Sequence, residues 1–498
     1  MIGFGSGNGN GSGSGSGSAG TGGRDMRGIR GLAIACTVAT AATFVVVAPA
    51  EASEQVTPVA SCDELAAALA TSGTVLLTQE FTGPDAACEP LEVGPGADVV
   101  LDLDWHDLQV GDFYDPSPGD AAIFVPTDSR LTVRGRASGS LTVYAGDGAG
   151  IGARPGSGAS GDIRIEGGSI TATSRTAAGI GGADGDARVE ITGGRVTARS
   201  STNASVDSGA AIGGGRFGTG VVEVTGGLVR GESWSAAGIG GGSDGNGIVT
   251  MAEPEAPPDA SRFNTGASVS GAGIGGGVRG VGEVVIAGRS RVLGFAGGAS
   301  ADENGPGIGD PSGIGTVTIS GLPTVVAGSI RSSRTEILGG SVRIDSGYPR
   351  TDPRPVAGDQ PLSPISIVVT HTGNIAPGPL LSVVDADGVP TGYQVHPSPL
   401  NEATLWLPPG PAWIRGELYG DLRTFPVTVA EDGSSTARLN FGSSEPPPPT
   451  LKERIATRFA QLARVLGDND AAITRIAREL GTTEGTVRYW LRRAGEIG

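Results

Sequence analysis

The sequence predicts a mainly β chain whose short parallel strands are wound into stacked coils, followed by a small β-sandwich and a C-terminal group of three helices. Three observations carry this reading. Glycine, 88 of 498 residues, recurs at a near-constant interval; apolar and polar residues alternate at period two between the glycines; and residues 451–498 change to the 3.6-residue period of helices. Gly together with the 33 Pro makes up about 24% of the chain, a share that means disorder without a period and a solenoid with one. Aromatics at 4% and charged residues at 17% exclude a large aromatic core and a solvated charged tail. Small, closely stacked side chains must carry the fold.

The net charge is −17, yet residues 451–498 hold nine basic and six acidic side chains. An acidic body repels nucleic acid and suits an exterior surface, whereas the basic end is attracted to phosphate. The two ends of the chain point to different partners.

Residues 1–25 are a Gly/Ser-rich leader expected to be disordered. Residues 26–52 read as a signal peptide: Arg27 and Arg30, an apolar stretch from Leu32 to Val47, then Ala48, Ala50 and Ala52 with cleavage after Ala50 or Ala52. Met26 is an alternative start. The expected location is secreted or cell surface, and an uncleaved signal segment would be the one route to the membrane. Cys62 and Cys88 then remain as an even pair in an oxidising compartment, which favours one disulfide over a metal or redox site.

Residues 53–110 form an N-terminal cap and the first coils. Ser61 and Glu64 make a capping box, and Leu65 and Leu69 give a short amphipathic helix before strands at 74–79 and 98–104. Residues 111–345 carry the repeat. Its first motif is Ala149-Gly-Ile-Gly152, Ala178-Gly-Ile-Gly-Gly182, and four further copies centred on Ile212, Ile239, Ile274 and Ile308, spaced 29, 32, 27, 35 and 34 residues apart. Its second is Ile163-Arg-Ile-Glu-Gly-Gly, Val189-Glu-Ile-Thr-Gly-Gly and Val222-Glu-Val-Thr-Gly-Gly. Each unit is strand, Gly-Gly corner, strand, then the Ala-Gly-Ile-Gly strand. Alternation turns Val189, Ile191, Val196 and Ala198 inward and Glu190, Thr192, Arg195 and Thr197 to water. In Ala-Gly-Ile-Gly the same rule turns Ala and Ile inward and leaves Gly outside, as a smooth stripe. In the fourth coil Glu253-Pro-Glu255 begins an acidic, Pro-rich loop in place of the corner.

These residues carry a resemblance. The short helix leading into stacked strands resembles the N-terminal cap of right-handed parallel β-helices of the pectin-lyase type, and the paired motifs look like the repeats of secreted bacterial β-helix proteins described as carbohydrate-binding or surface proteins. The resemblance implies a polysaccharide or cell-wall polymer as partner, a monomer, and no cofactor. Pectin-lyase-type folds also host lyases and hydrolases, but the carboxylate clusters of those enzymes have no counterpart in the sequence, and His106, His371 and His396 are far apart. A non-catalytic protein is expected, with a polysaccharide-degrading enzyme as the less favoured class. The candidate ligand face is the outward ladder Arg164, Glu166, Arg188, Glu190 and Glu223, with Trp234 as an exposed aromatic; Phe217 and the Phe113-Tyr114 loop are further aromatic candidates. Asp184-Gly-Asp186 and Asp244-Gly-Asn246 read as turns in preference to calcium sites.

Residues 362–442 are short strands split by Asp-Gly and Pro-Gly turns, a small β-sandwich similar to the accessory sandwiches that accompany such repeats. Residues 443–450 are a Pro-rich linker. In residues 451–498, the segment from Ile476 to Leu491 resembles the helix-turn-helix of bacterial transposases and regulators, with Ala477 at the crossing, Gly481 at the turn and Val487 in the core. The resemblance implies DNA contacts from Thr482, Thr483, Glu484, Thr486, Arg488, Tyr489, Arg492 and Arg493. The second class of function is therefore a DNA-binding regulator or recombinase-like protein fused to a β-helix sensor.

Overall fold

The computed structural model describes residues 56–494 apart from 84–86, 113–119, 201–207, 255–263, 297–304, 345–354, 371–378, 396, 398–400, 419–420, 442–454 and shorter breaks between 456 and 482. Residues 26–52, expected to be a signal peptide, the Phe113-Tyr114 loop, His371, His396 and the Pro-rich segment at 443–450 lie outside the described residues.

Strands of the repeat fall into three sheets. The first has 13 strands, from Val56–Val59 to Gln360–Pro361; the second has nine, from Asp107–Val110 to Ser341–Ile344; the third has nine strands of two residues each, from Leu91–Glu92 to Ile330–Arg331. The chain visits them in rotation. Asp162–Ile165 lies in the first, Ser169–Ser174 in the second and Ile180–Gly181 in the third; Ala187–Ile191 then returns to the first, parallel to Asp162–Ile165 with Ile163 opposite Val189. This stacking of long parallel sheets is consistent with a parallel β-helix. Alternation sets the register: Val189, Ile191, Val196 and Ala198 are buried, while Glu190, Thr192 and Thr197 are half-buried and Arg195 is exposed. The column of Ile in the third sheet extends beyond the six copies of the motif, to Leu91 and Ile123 before them and Ile330 after. The outer copies escape the motif because Glu92, Phe124 and Arg331 replace its second Gly.

The glycines of that motif are not an outward stripe. Gly179, Gly181 and Gly182 are all buried, as are their counterparts in the next coils. The alternation rule fails there because Gly181 and Gly213 have φ near +130° (132° and 128°), which is not extended backbone. A Cβ at Gly181 would overlap the Gly213 carbonyl oxygen, and one at Gly213 would overlap that of Gly240. The following glycines fold the corner back over the strand, so backbone covers backbone. The Gly-Gly corners between first and second sheets follow the expected rule, with Gly168, Gly194 and Gly227 at φ 83°, 80° and 86°.

Both ends are closed. At the first, helix α1 (Cys62–Leu69) is capped by Ser61, whose side chain accepts from the Glu64 N–H, while the Glu64 carboxylate accepts from the Ala60 N–H. The helix buries Leu65 and Leu69 completely over the first coil. A disulfide joins Cys62 to Cys88, 26 residues on. At the other end, residues 363–440 form a three-stranded and a four-stranded sheet. The strand Pro390–Val395, with Pro at its first position, has no signal in the period-two pattern. Trp406 donates its indole N–H to the Val342 carbonyl at 3.0 Å, and the Tyr393 hydroxyl donates to the Gly340 carbonyl at 3.1 Å. Burial pushes the Tyr393 hydroxyl far above its usual pKa. These bonds seal the last coil, whose apolar end and strand edge would otherwise face water.

Gly213→Ala is expected to destabilise the protein by about 3 kcal/mol or more, combining backbone strain with overlap. Gly156→Ala, at φ 75° with open space around the added carbon, is expected to cost about 1 kcal/mol. Urea titration of both variants reads the difference, and equal midpoints would remove the close-approach account.

Candidate binding surface

On the first sheet the outward residues form columns in register: Asp98, Arg130, Asp162 and Arg188 in one, Arg164, Glu190 and Glu223 in the next. Opposite charges alternate along the first column, whereas Glu190 and Glu223 are adjacent in the second and are paired with Arg164 and Arg188. Arg130 reaches Asp98 at 3.6 Å and Asp162 at 3.1 Å; Arg164 reaches Glu166 at 3.0 Å and Glu190 at 3.8 Å; Arg188 reaches Glu223 at 4.0 Å. Arg164, Glu166, Arg188, Glu190 and Glu223 thus share one face, where each has an ion-pair partner.

Trp234 is elsewhere. It lies at the corner leaving the second sheet, directly after Leu228–Ser233, and is 40% exposed. On the outer side of the same strand are Arg230 and Glu232, with Arg199 of the coil before opposite Glu232. Arg199 donates to Glu232 at 3.0 Å and Arg230 at 2.6 Å. Burial opposes ionisation of Glu232, but the two guanidinium groups outweigh it and hold the carboxyl below its usual pKa. Phe217 is exposed on a third corner with Arg216 over its ring. The sequence reading missed exposed Trp105, which stacks under Arg136 at 3.7 Å beside the Arg136–Asp104 pair. Its one signal was the 31-residue offset to Arg136, one coil on.

Other polar groups serve the fold. Asp186 accepts from the Thr219 N–H, Asn246 from the Val281 N–H and Asp184 from the Gly156 N–H, each in a neighbouring coil, and Asp244 pairs with Arg279 at 2.7 Å. The half-buried His106 uses its backbone, donating to Leu103 and accepting from Ser140. Among the described residues no three His, Cys, Asp or Glu side chains gather to hold a metal ion.

A buried serine ladder, Ser174, Ser200, Ser233 and Ser268, runs through four coils of the second sheet. Ser174 accepts from the Ala177 N–H at 2.9 Å and donates to the Gly148 carbonyl at 2.8 Å; Ser268 accepts from Gly271 and donates to Ala236. Sequence reasoning missed it, although Ser174, Ser233 and Ser268 each stand six residues before the repeat Ile. Glu253 is a second unpredicted feature. Its side chain is 4% exposed and accepts from the Asn264 amide, while the Asn264 carbonyl oxygen accepts from the Val229 N–H. Asn264 occupies a column otherwise filled by Val196, Val229 and Val292. Burial raises the Glu253 pKa, with the Asn264 hydrogen bond opposing.

Near the C-terminus, α2 (Asn469–Glu479) and α3 (Glu484–Ala494) are described, and Ile473, Ile476, Ala477, Val487 and Leu491 share a core with Ile455, Phe459 and Leu462. Of the eight residues assigned to DNA, Thr482 and the side chain of Arg493, with that of Trp490 nearby, lie outside the described residues. The Thr483 hydroxyl caps α3 by accepting from the Thr486 N–H and contacts the Thr486 hydroxyl; Glu484 accepts from Thr474; Arg488 pairs with Asp470 at 2.8 Å. Tyr489 and Arg492 are exposed. Arg458 and Arg475 hold the Glu479 carboxyl down to about 2.

No protein-family model, curated protein or solved structure matches the chain.

Two variants test the buried polar groups. Ser233→Ala leaves the Ala236 N–H, bound at 3.1 Å, without its acceptor and is expected to cost about 1–3 kcal/mol. Because the folded-state pKa of Glu253 is raised, its favourable contribution is fully present below the ordinary carboxylate range and is lost as pH rises through the raised value. Relative to Glu253→Gln, the native protein should gain stability on acidification from neutral pH. Parallel melting-temperature profiles of the two proteins would contradict this.

Proposed function

We propose that this chain is an exported, non-catalytic surface protein that binds a polysaccharide through the outer wall of a right-handed, pectin-lyase-like β-helix. The observation that carries the reading is that three stacked sheets are closed at one end by α1 and at the other by the residues 363–440. What such a stack offers a partner is a long repeated wall. Right-handed winding follows the strong preference of parallel crossover connections. The carboxylates of the first sheet are ion-paired with neighbouring arginines, which supports binding over catalysis.

One observation favours a second reading. The packing of Ile476 and Ala477 against Val487 and Leu491 fits a helix-turn-helix within a three-helix domain, and with it a DNA-binding regulator. Fractionation of the native organism with mass and N-terminal determination separates the two. An external species beginning at Glu51 or Ser53 supports the surface protein. A cytosolic full-length species that binds duplex DNA, with binding lost on Arg488→Ala and Arg492→Ala, would replace it with the regulator.

A further inference from the structure

The two long sheets differ in how their outward charges are balanced. On the first, arginines and carboxylates are interleaved, as with Arg130 between Asp98 and Asp162. On the second, the two coils at Arg195–Ser200 and Leu228–Ser233 present Arg195, Arg199 and Arg230, all exposed, against one carboxylate, Glu232, which two of them already share. Among the described residues no group pairs with Arg195. A protein with a net charge of −17 therefore carries a local cationic patch, and arginine's forked donors suit planar anions. Arg195 and Arg199 are four residues apart on one strand, about 13 Å, and Arg230 lies one coil away, about 4.8 Å across the sheet. The charges are spread over a surface, as a repeating anion would need, and are not gathered into a pocket. Trp234 follows two residues after Glu232 on the outward side, with its ring exposed at the rim of the patch.

We propose that this patch of the second sheet binds an acidic polysaccharide, with Arg195, Arg199 and Arg230 on its carboxylates and Trp234 stacked on a sugar ring. The inference deepens the polysaccharide reading and rests on it. The exposed ring is what selects a uronate polymer over other polyanions: a pyranose offers an apolar C–H face to indole, and carboxylates spaced along a chain meet arginines spaced along a sheet. Glu232 adds the selectivity. It fixes the orientation of Arg199 and Arg230, and it repels a polymer of uniformly high charge density.

The experiment uses the full chain and immobilised polygalacturonate, with dextran and duplex DNA as parallel probes. The expected result is retention on polygalacturonate that weakens with added salt, falls about tenfold in Arg195→Ala/Arg230→Ala, and falls comparably in Trp234→Ala. Arg438→Ala, exposed on the strand Ser435–Asn440 away from the patch, should bind as the native protein does. These positions are exposed, and an unchanged melting temperature confirms that each variant is folded. Polygalacturonate or dextran binding that ignores the second-sheet substitutions overturns this inference and leaves the polysaccharide reading standing. No binding to any glycan overturns both. Binding of DNA that requires Arg195 and Arg230 but not Trp234 would make the patch a general polyanion site and overturn the assignment to a sugar.

Discussion

The close approach of successive coils at the third sheet is the constraint from which the rest of the structure follows. With two-residue strands and Gly at φ near +130°, the carbonyl of one coil occupies the space where the side chain of the coil before would begin. From Gly152 to Gly275 nothing larger than Gly is accommodated at that position, and the corner can then fold back over the strand and exclude water without a side chain. The first two sheets meet the third over a narrow interior filled by Val, Ile and Ala, which is why so few aromatics suffice. A close-packed interior of small residues gains its stability from repetition: each coil adds a similar increment and contacts only its neighbours.

That dependence on neighbours makes the two ends necessary. A solenoid coil with no successor exposes apolar surface and unpaired strand edges. Helix α1 meets the requirement with two buried leucines and a disulfide. The other end uses two aromatic side chains, Tyr393 and Trp406, whose polar atoms satisfy backbone carbonyls of the last coil while their rings extend the core. The residues 363–440 are thus part of the same apolar core as the repeat.

Repeat spacing, inward and outward registers and the Gly-Gly corners were legible in the sequence because each depends on local patterning at period two. The burial of the third-sheet glycines was not legible, since alternation presumes extended backbone and Gly181 departs from it. Ser174, Ser233 and Ser268 were visible at a fixed offset, yet a small polar residue before a corner reads as turn chemistry until its neighbours in adjacent coils are known. The first-sheet ladder was found because charged residues at alternate positions are conspicuous. The imbalance on the second sheet was hidden because it arises between coils: Arg195, Arg199, Arg230 and Glu232 span 38 residues but only one strand-to-strand step. Among the helices, the apolar spacing located the shared core, whereas the partners of Thr483, Glu484 and Arg488 are contacts that no linear pattern reveals.

Near-identical coils raise a question of address, since one Ile-Gly strand could stack on the wrong copy with little loss of apolar contact. Glu253 and Asn264 remove that degeneracy. The Asn264 oxygen takes the Val229 N–H below, the Glu253 N–H donates to the Ser290 hydroxyl above at 2.9 Å, and the two side chains are tied to each other. One coil is thereby marked by residues that occur once and is bonded to the coil on either side, and threading it out of order would place a carboxyl or an amide in an apolar column, where an unpartnered polar group is costly. The pair acts as an index mark in a repetitive text, fixing which coil is which.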